Sequence, residues 1–445
     1  MALKDIDTFI IVIMENRSFD HMLGYLNLAG PGRIALEGLS SDAGWLADLA
    51  NPYNGVDYQS RPLDVSVQTI VDPNHNWDGV ATQIGEKTQG GYAMGGFVQS
   101  YATYSQPAPP PADYWHAMGY YSAAAVPTYD FFAHNFLTCD NWFCALPAGT
   151  QPNRLMAMSG TSSVFENGSS RIQHQDLVYE WLEARDVNWC SYVWGDFLPF
   201  FALDWDRLPD ILASLALTPG SGKWRHYDHF AASWVSGEAM PSVIFIEPEY
   251  SEGLATAPND DHSPTGIEPG QTFLRQIYSD VIANPARWAR TMMIVTYDEH
   301  GGFFDHVLPL DIEATAGGHA FASTGLRVPA FVISPQVTPG SVFEKRLDHT
   351  SILQLLADKF EPTGVYSPEV SARQASLARL SEVLNPVQAL AATPAPAAAA
   401  PAHLSANAEA FRAAAQQAFK ARPELINHPN LAPLVGHMRR EGLIG

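Results

Sequence analysis

The sequence predicts an α/β protein: a mostly parallel central sheet with helices on both faces. Three observations support this. Apolar, β-branched runs of strand length occur at Thr8–Met14 (TFIIVIM), Val243–Ile246, Met292–Thr296 and Val328–Ser334, and unbroken runs of this kind suit strands buried on both sides. Helical spacing of apolar residues falls between or after them, at Asp176–Ala184, Thr272–Ile282 and Ser351–Phe360. Polar residues directly follow the strand candidates, as expected where ligands gather beyond the carboxyl ends of a parallel sheet.

Thr8–Met14 runs into Glu15-Asn16-Arg17, and Ser18 is placed to cap a helix with Phe19, Met22, Leu23 and Leu26 on one side. Residues 51–115 are rich in Pro, Gly, Asn, Gln and Tyr, including Gln106–Ala112 (QPAPPPA). They read as a loop-rich insertion forming a lid or wall. The aromatic stretches Tyr114–Phe132 and Trp194–Trp205 read as core, with an apolar approach for a lipid substrate as the alternative. In Leu146–Ser162 (LPAGTQPNRLMAMSGTS), Thr150 lies in a Pro/Gly turn ahead of a helical run from Asn153 to Met158. Pro152 suits the first helical turn, so the Thr150 hydroxyl stands at a helix N-terminus, where backbone N–H groups and the dipole favour an anion. Ala389–Pro401 (ALAATPAPAAAAP) is an Ala/Pro tether leading to one amphipathic helix. The expected organisation is a catalytic domain over 1–385, a linker over 386–405 and a helical tail over 406–445.

Composition narrows the function. With 46% apolar residues in 445, the chain has ample material for a core. Its net charge of −22 repels nucleic acid and anionic membranes at long range, so no nucleic-acid partner is expected. A phosphate-bearing substrate would need local cations to overcome that field. Cys139, Cys144 and Cys190 are too few and scattered for a zinc or disulfide framework, and reduced, buried thiols are expected. No apolar stretch reaches the roughly 18 residues of a bilayer span, and with Lys4 followed by Asp5 and Asp7 no export signal is expected at the N-terminus as written. The chain as written is expected to be soluble and cytoplasmic, without stable membrane insertion.

Two strand ends carry the acids: Glu15 with Asn16, and Asp298 with Glu299 ahead of His300-Gly301-Gly302. Carboxylates brought together repel each other and take up protons unless a cation sits among them. Oxygen-rich ligation favours Ca²⁺, Mg²⁺ or Mn²⁺ over Zn²⁺. The competing reading is that these acids cap helices or pair with basic side chains, and that Thr150 is an ordinary helix-capping residue. A divalent cation would activate the Thr150 hydroxyl, a poor nucleophile at its free pKa.

Ile11–Tyr25 (IVIMENRSFDHMLGY), Asp140–Thr161 (DNWFCALPAGTQPNRLMAMSGT) and Ile294–Val307 (IVTYDEHGGFFDHV), followed by Val328–Pro335 and Asp348–Leu356, resemble the bacterial phosphoesterase family of non-specific phospholipases C and acid phosphatases. That resemblance implies an alkaline-phosphatase-like fold. It implies one divalent metal on Glu15, Asn16, Thr150, Asp298 and Glu299, with Thr150 as nucleophile. His262, in Asn259–Thr265 (NDDHSPT), looks like the family's active-site histidine, and His75, in Asp72–Asp78 (DPNHNWD), like a second. Both are candidates to protonate the leaving group and to hold the phosphoryl oxygens, with His306 a further substrate-binding candidate. His349 is expected to cap a helix with Asp348, His21 to support helix packing, and Arg17 and Arg154 to form ion pairs.

The expected activity is phosphate-ester hydrolysis through a phosphothreonine, by a broad-specificity acid phosphatase. A phospholipase C is the alternative, and a non-catalytic metal- and phosphate-binding protein the alternative of another class. A sulfatase ranks below these, because Thr150-Gln151-Pro152-Asn153-Arg154 has threonine where sulfatases place a modifiable Cys or Ser.

Overall fold

Thr8–Met14 (β1) and Thr291–Tyr297 (β6) lie side by side at the centre of an eight-stranded sheet, and every residue of both is buried. The other strands are Leu137–Cys139 (β2), Trp189–Val193 (β3), Trp224–His226 (β4), Val243–Glu247 (β5), Ala330–Ile333 (β7) and Ser341–Phe343 (β8). Their order across the sheet is β4-β3-β5-β1-β6-β7-β2-β8. All neighbours are parallel except β7, which runs antiparallel to both β6 and β2. This computed structural model describes residues 3–384, apart from 66, 68, 105–107, 169–171, 195–197, 218–219 and 251–257, together with isolated positions 420, 426, 435 and 439. The linker expected over 386–405, and all but those four positions of the tail expected over 406–445, lie outside the described residues.

Helices cover both faces of the sheet. Thr150–Ser159 packs with Thr350–Phe360, and Pro368–Gln374 adjoins the latter; Glu268–Ile282 packs with Pro127–Asn135 and Asp228–Val235. One continuous apolar core fills the space between, including Phe200, Phe201, Tyr121, Tyr129 and Phe132 of the aromatic stretches. The three cysteines are buried and unbridged.

The α/β expectation holds, with corrections at the edges. Val328–Ser334 forms a strand only over Ala330–Ile333, and it is the reversed one. Four outer strands escape a periodicity reading because three are only three residues long and the fourth, WCSYV, carries a serine at its centre. Residues 51–115 are more ordered than a loop-rich insertion. They contain a hairpin, Asn51–Tyr53 with Val56–Tyr58, and two helices, Trp77–Ile84 and Phe97–Tyr104. Val80, Ile84, Phe97 and Val98 of these helices share a separate apolar cluster with Phe304 and Leu326, which ties the insertion to the chain just beyond β6.

Candidate active site

Strand register brings the acids together. β1 and β6 pair in parallel from Thr8↔Thr291 to Met14↔Tyr297, so the next residues, Glu15 and Asp298, leave the sheet side by side. The Asn16 backbone N–H donates to Asp298 Oδ1 at 3.4 Å, and the Glu299 N–H donates to the same oxygen at 2.7 Å. Asn16 sits at φ 54°, a left-handed conformation that asparagine tolerates better than most residues. Gly301, at φ 66°, closes over it, and a Cβ there would stand 2.1 Å from the Asn16 carbonyl oxygen. That steric limit explains the glycine after the acid pair.

Thr150 is the first residue of the helix Thr150–Ser159, after Gly149 at the N-cap, so the helix starts three residues earlier than its sequence suggests. The preceding turn is stitched by Asn153, whose Oδ1 accepts from Leu146 N at 2.8 Å while Nδ2 donates to Ala148 O at 2.7 Å. The Thr150 Oγ1 lies 3.5 Å from Asn16 Oδ1. One turn on, the buried Arg154 spans the two strand ends. Its Nη2 lies 3.0 Å from Glu15 Oε1, its Nε 3.3 Å from Asp298 Oδ2, and its Nη1 donates to Tyr250 Oη at 2.9 Å. The ion-pair expectation for Arg154 is met. Arg17 instead donates to the backbone carbonyls of Asp261 at 2.8 Å and Thr265 at 3.2 Å, with its guanidinium over the Phe303 ring.

The histidines separate by environment. His75 is wedged between two acids, Nδ1 at 2.9 Å from Glu299 Oε1 and Nε2 at 3.5 Å from Asp72 Oδ2. Burial alone would lower its pKa, but the Glu299 and Asp72 carboxylates outweigh burial and hold it well above the usual imidazole range. Burial pushes Glu299 up to about 7, with His75 opposing. His262 packs edge-on against His75, ring centroids 5.3 Å apart, and one ligand atom each from Asp72, His75 and His262 lie within 4.8 Å of one another. The Nδ1 of His262 contacts the Ser263 carbonyl oxygen.

Two expectations need correction. The His306 ring nitrogens are taken up elsewhere, Nδ1 by Asp20 at 2.6 Å and Nε2 by Glu37 at 3.2 Å, in a buried network with Asp305 and Arg327. Although close in sequence to the acid pair, its loop turns away towards Asp20 and Glu37. His349 makes no side-chain cap; Asp348 alone does, accepting from Thr350 N at 2.8 Å. The His349 ring reaches the Asp298 carbonyl oxygen through Nε2 at 2.6 Å, while Trp142 Nε1 donates to its Nδ1 at 3.1 Å. Because indole is only a donor, His349 is the neutral Nε2–H tautomer and steadies Asp298 from behind. His21, stacked on Phe303 and bonded to Gly119 O, supports packing as expected.

The donor set fits a divalent cation. The buried or half-buried acids Glu15, Asp72, Asp298 and Glu299 gather around Arg154 and His75. Carboxylates gathered in a desolvated site resist ionisation, as the rise of Glu299 shows, and a divalent ion among them would favour the charged forms. The Asn16 Nδ2 is also buried without a hydrogen-bond partner among the described residues, as it would be if the amide were oriented by its oxygen on an ion. Sequence reasoning missed Asp72, although it opens the segment quoted for His75.

Among known proteins, the chain is 28% identical over 379 residues to non-specific phospholipase C1 of Arabidopsis thaliana, covering 78% of this chain and 65% of that protein. It is 27% identical over 430 residues to phospholipase C B of Mycobacterium tuberculosis, covering 86% and 78%. The chain thus spans a little less than two thirds of the Arabidopsis relative. A crystal structure of a protein in the alkaline phosphatase superfamily from Vibrio parahaemolyticus overlays at 9% identity and a TM-score of 0.31, covering 58% of this chain and 63% of that one. The family model described as Phosphoesterase matches residues 6–362, from the strand that runs into Glu15 to the helix that follows His349, and the chain belongs to that family.

Proposed function

We propose that this chain hydrolyses phosphate esters by double displacement, with Thr150 as nucleophile and small monoesters over a broad range as substrates. The observation that carries the reading is the seat of the Thr150 Oγ1, at the start of a ten-residue helix and 3.5 Å from Asn16 Oδ1 among buried acids. A divalent cation held by Glu15, Asn16, Thr150, Asp298 and Glu299 would lower the hydroxyl pKa and offset phosphoryl charge, and oxygen donors suit Ca²⁺, Mg²⁺ or Mn²⁺.

Thr150 attacks phosphorus in line as the alkoxide, its proton already lost to solvent; the bond to the leaving oxygen breaks, a phosphothreonine forms, and the alkoxide is released again when water cleaves it. His262 donates a proton from Nε2 to the leaving alkoxide, then accepts one from the water that cleaves the Thr150 ester. His75, held between Glu299 and Asp72, contributes positive charge to the phosphoryl oxygens rather than a mobile proton. Arg154 fixes the spacing of Glu15 and Asp298.

A second reading is cleavage of a glycerophospholipid headgroup, favoured by the names of the relatives from Arabidopsis and Mycobacterium. Parallel assays of p-nitrophenyl phosphate, bis(p-nitrophenyl) phosphate and phosphatidylcholine, with and without chelator, test both. Monoester turnover lost to chelator, and at least about a hundredfold lower in Thr150→Val, is the expected result. Preference for phosphatidylcholine would select the second reading. Undiminished turnover by Thr150→Val would remove Thr150 from the chemistry, and metal-dependent phosphate binding without turnover would favour a capture protein.

A further inference from the structure

Behind His262 lies a buried acid that the proposed reaction does not use. Asp261 is fully buried, with its backbone in the left-handed region at φ 78°. Its Oδ2 accepts from Tyr297 Oη at 2.6 Å and contacts Tyr129 Oη, and the two phenol oxygens are themselves 2.6 Å apart. Three oxygens in mutual contact make three edges, and each edge needs a proton between its atoms. Ionised Asp261 leaves only the two phenol protons, so one edge would set lone pair against lone pair inside the core. A neutral carboxylic acid supplies the third proton and closes a ring in which each group donates once and accepts once.

The other carboxyl oxygen points the same way. Asp261 Oδ1 is buried without a hydrogen-bond partner among the described residues, which is far costlier for a carboxylate than for the carbonyl of an acid. The helix Glu268–Ile282 presses Gly270 against it, where a Cβ would stand 2.0 Å from Oδ1. The titratable and charged neighbours are Tyr129 from Pro127–Asn135, Tyr297 from β6, Tyr121, Asp260 beside it in sequence, and Arg17, whose Nε bonds the Asp261 backbone carbonyl. Burial pushes the Asp261 carboxyl up to about 7, with the two phenols and Arg17 opposing.

The ring sits where it can hold the site. Tyr297 directly precedes Asp298 on β6. Asp261 directly precedes His262, in a loop whose Asp260 carbonyl accepts from Glu15 N at 2.8 Å. We infer that Asp261 is a positioning residue that acts as a neutral acid, locking the loop of His262 to the strand of Asp298 through the Tyr129–Tyr297 pair. The functional half of this inference rests on the proposed role of His262. Loss of the proton opens the ring and adds a negative charge behind the site, so turnover falls on the alkaline side.

Infrared spectra and pH profiles of the full chain test the two halves separately. Wild type at pH 6 should show a protonated-carboxyl C=O band that is absent from Asp261→Asn and fades as pH rises. Asp261→Asn, permanently neutral, should lose or shift upward the alkaline limb of kcat. Asp261→Ala should lower kcat by at least about tenfold with KM little changed, and more for an alkyl phosphate than for p-nitrophenyl phosphate, whose leaving group needs no proton. Tyr297→Phe, which removes one edge of the ring, gives the same kcat test should Asp261→Ala not fold. Absence of the acid band in wild type would overturn the inference, as would an unchanged alkaline limb in Asp261→Asn. If the band is present while Thr150→Val keeps full turnover, the reaction proposed above fails and the protonation state of Asp261 stands.

Discussion

Replacing Arg154 by methionine isolates the electrostatics of the site. The side chain is buried and holds Glu15 and Asp298 at 3.0 and 3.3 Å, donates to Tyr250 Oη, and reaches the Ile13 carbonyl at 3.2 Å. Methionine retains much of the packing volume against Phe200 and Tyr250 but removes the charge. Taking one partner from a buried pair leaves an uncompensated charge and costs about 3–5 kcal/mol, so Arg154→Met in chelator should be less stable than wild type by that amount. If a divalent ion seats among Glu15, Asp298 and Glu299, it supplies positive charge to the folded state alone. At a hundredfold excess over Kd it adds roughly 2.7 kcal/mol, so the ion-loaded variant should regain about half or more of its shortfall from wild type in chelator. Urea unfolding followed by tryptophan fluorescence measures both quantities, with Ca²⁺, Mg²⁺ and Mn²⁺ tested in turn. A deficit below about 1 kcal/mol, or a midpoint that none of these ions moves in either protein, would refute the convergence of these acids on a cation.

Gly301→Ala places a Cβ against the Asn16 carbonyl oxygen at a positive φ. It should cost at least roughly 1–3 kcal/mol and displace Asn16, so turnover should fall together with metal affinity; calorimetric titration of the ion into the variant checks this. His21 bonds Gly119 O through Nδ1 and faces Arg17 Nη1 through Nε2, so burial first and the guanidinium second hold its pKa well below 6.5. The unfolded chain then binds the extra proton below 6.5, so this contribution is complete above that pH. It is lost as pH falls, by up to about 1.4 kcal/mol per unit. His21→Gln should flatten the acid side of a stability-versus-pH curve, and a slope equal to wild type would contradict a neutral buried His21.

Some features of the chain are legible before folding because they are local. β1 and β6 are continuous apolar runs buried on both faces, and such runs are read directly from residue type. The acids that end them are visible because a strand end is a sequence position. The helix after Thr150 is signalled by Pro152, although its first turn begins at Thr150, where Asn153 and Gly149 rather than propensity set the start. The 51–115 helices were hidden by their Pro- and Gly-rich surroundings, and they persist because their apolar faces meet Phe304 and Leu326 from distant parts of the chain.

The strand cores, the acids at their ends and the hydroxyl in its turn follow from neighbours in the chain. Which groups share a charge follows from contacts made on folding. The β1–β6 register set Glu15 beside Asp298, Arg154 bridged them, and Asp72 joined Glu299 around His75. The fold also turned His306 away to Asp20, drew His349 to the back of Asp298, and enclosed Asp261 between two phenols. The physical reason is that the protonation and role of a titratable group follow from distance and desolvation within a few ångströms, and residues hundreds of positions apart in the chain supply both.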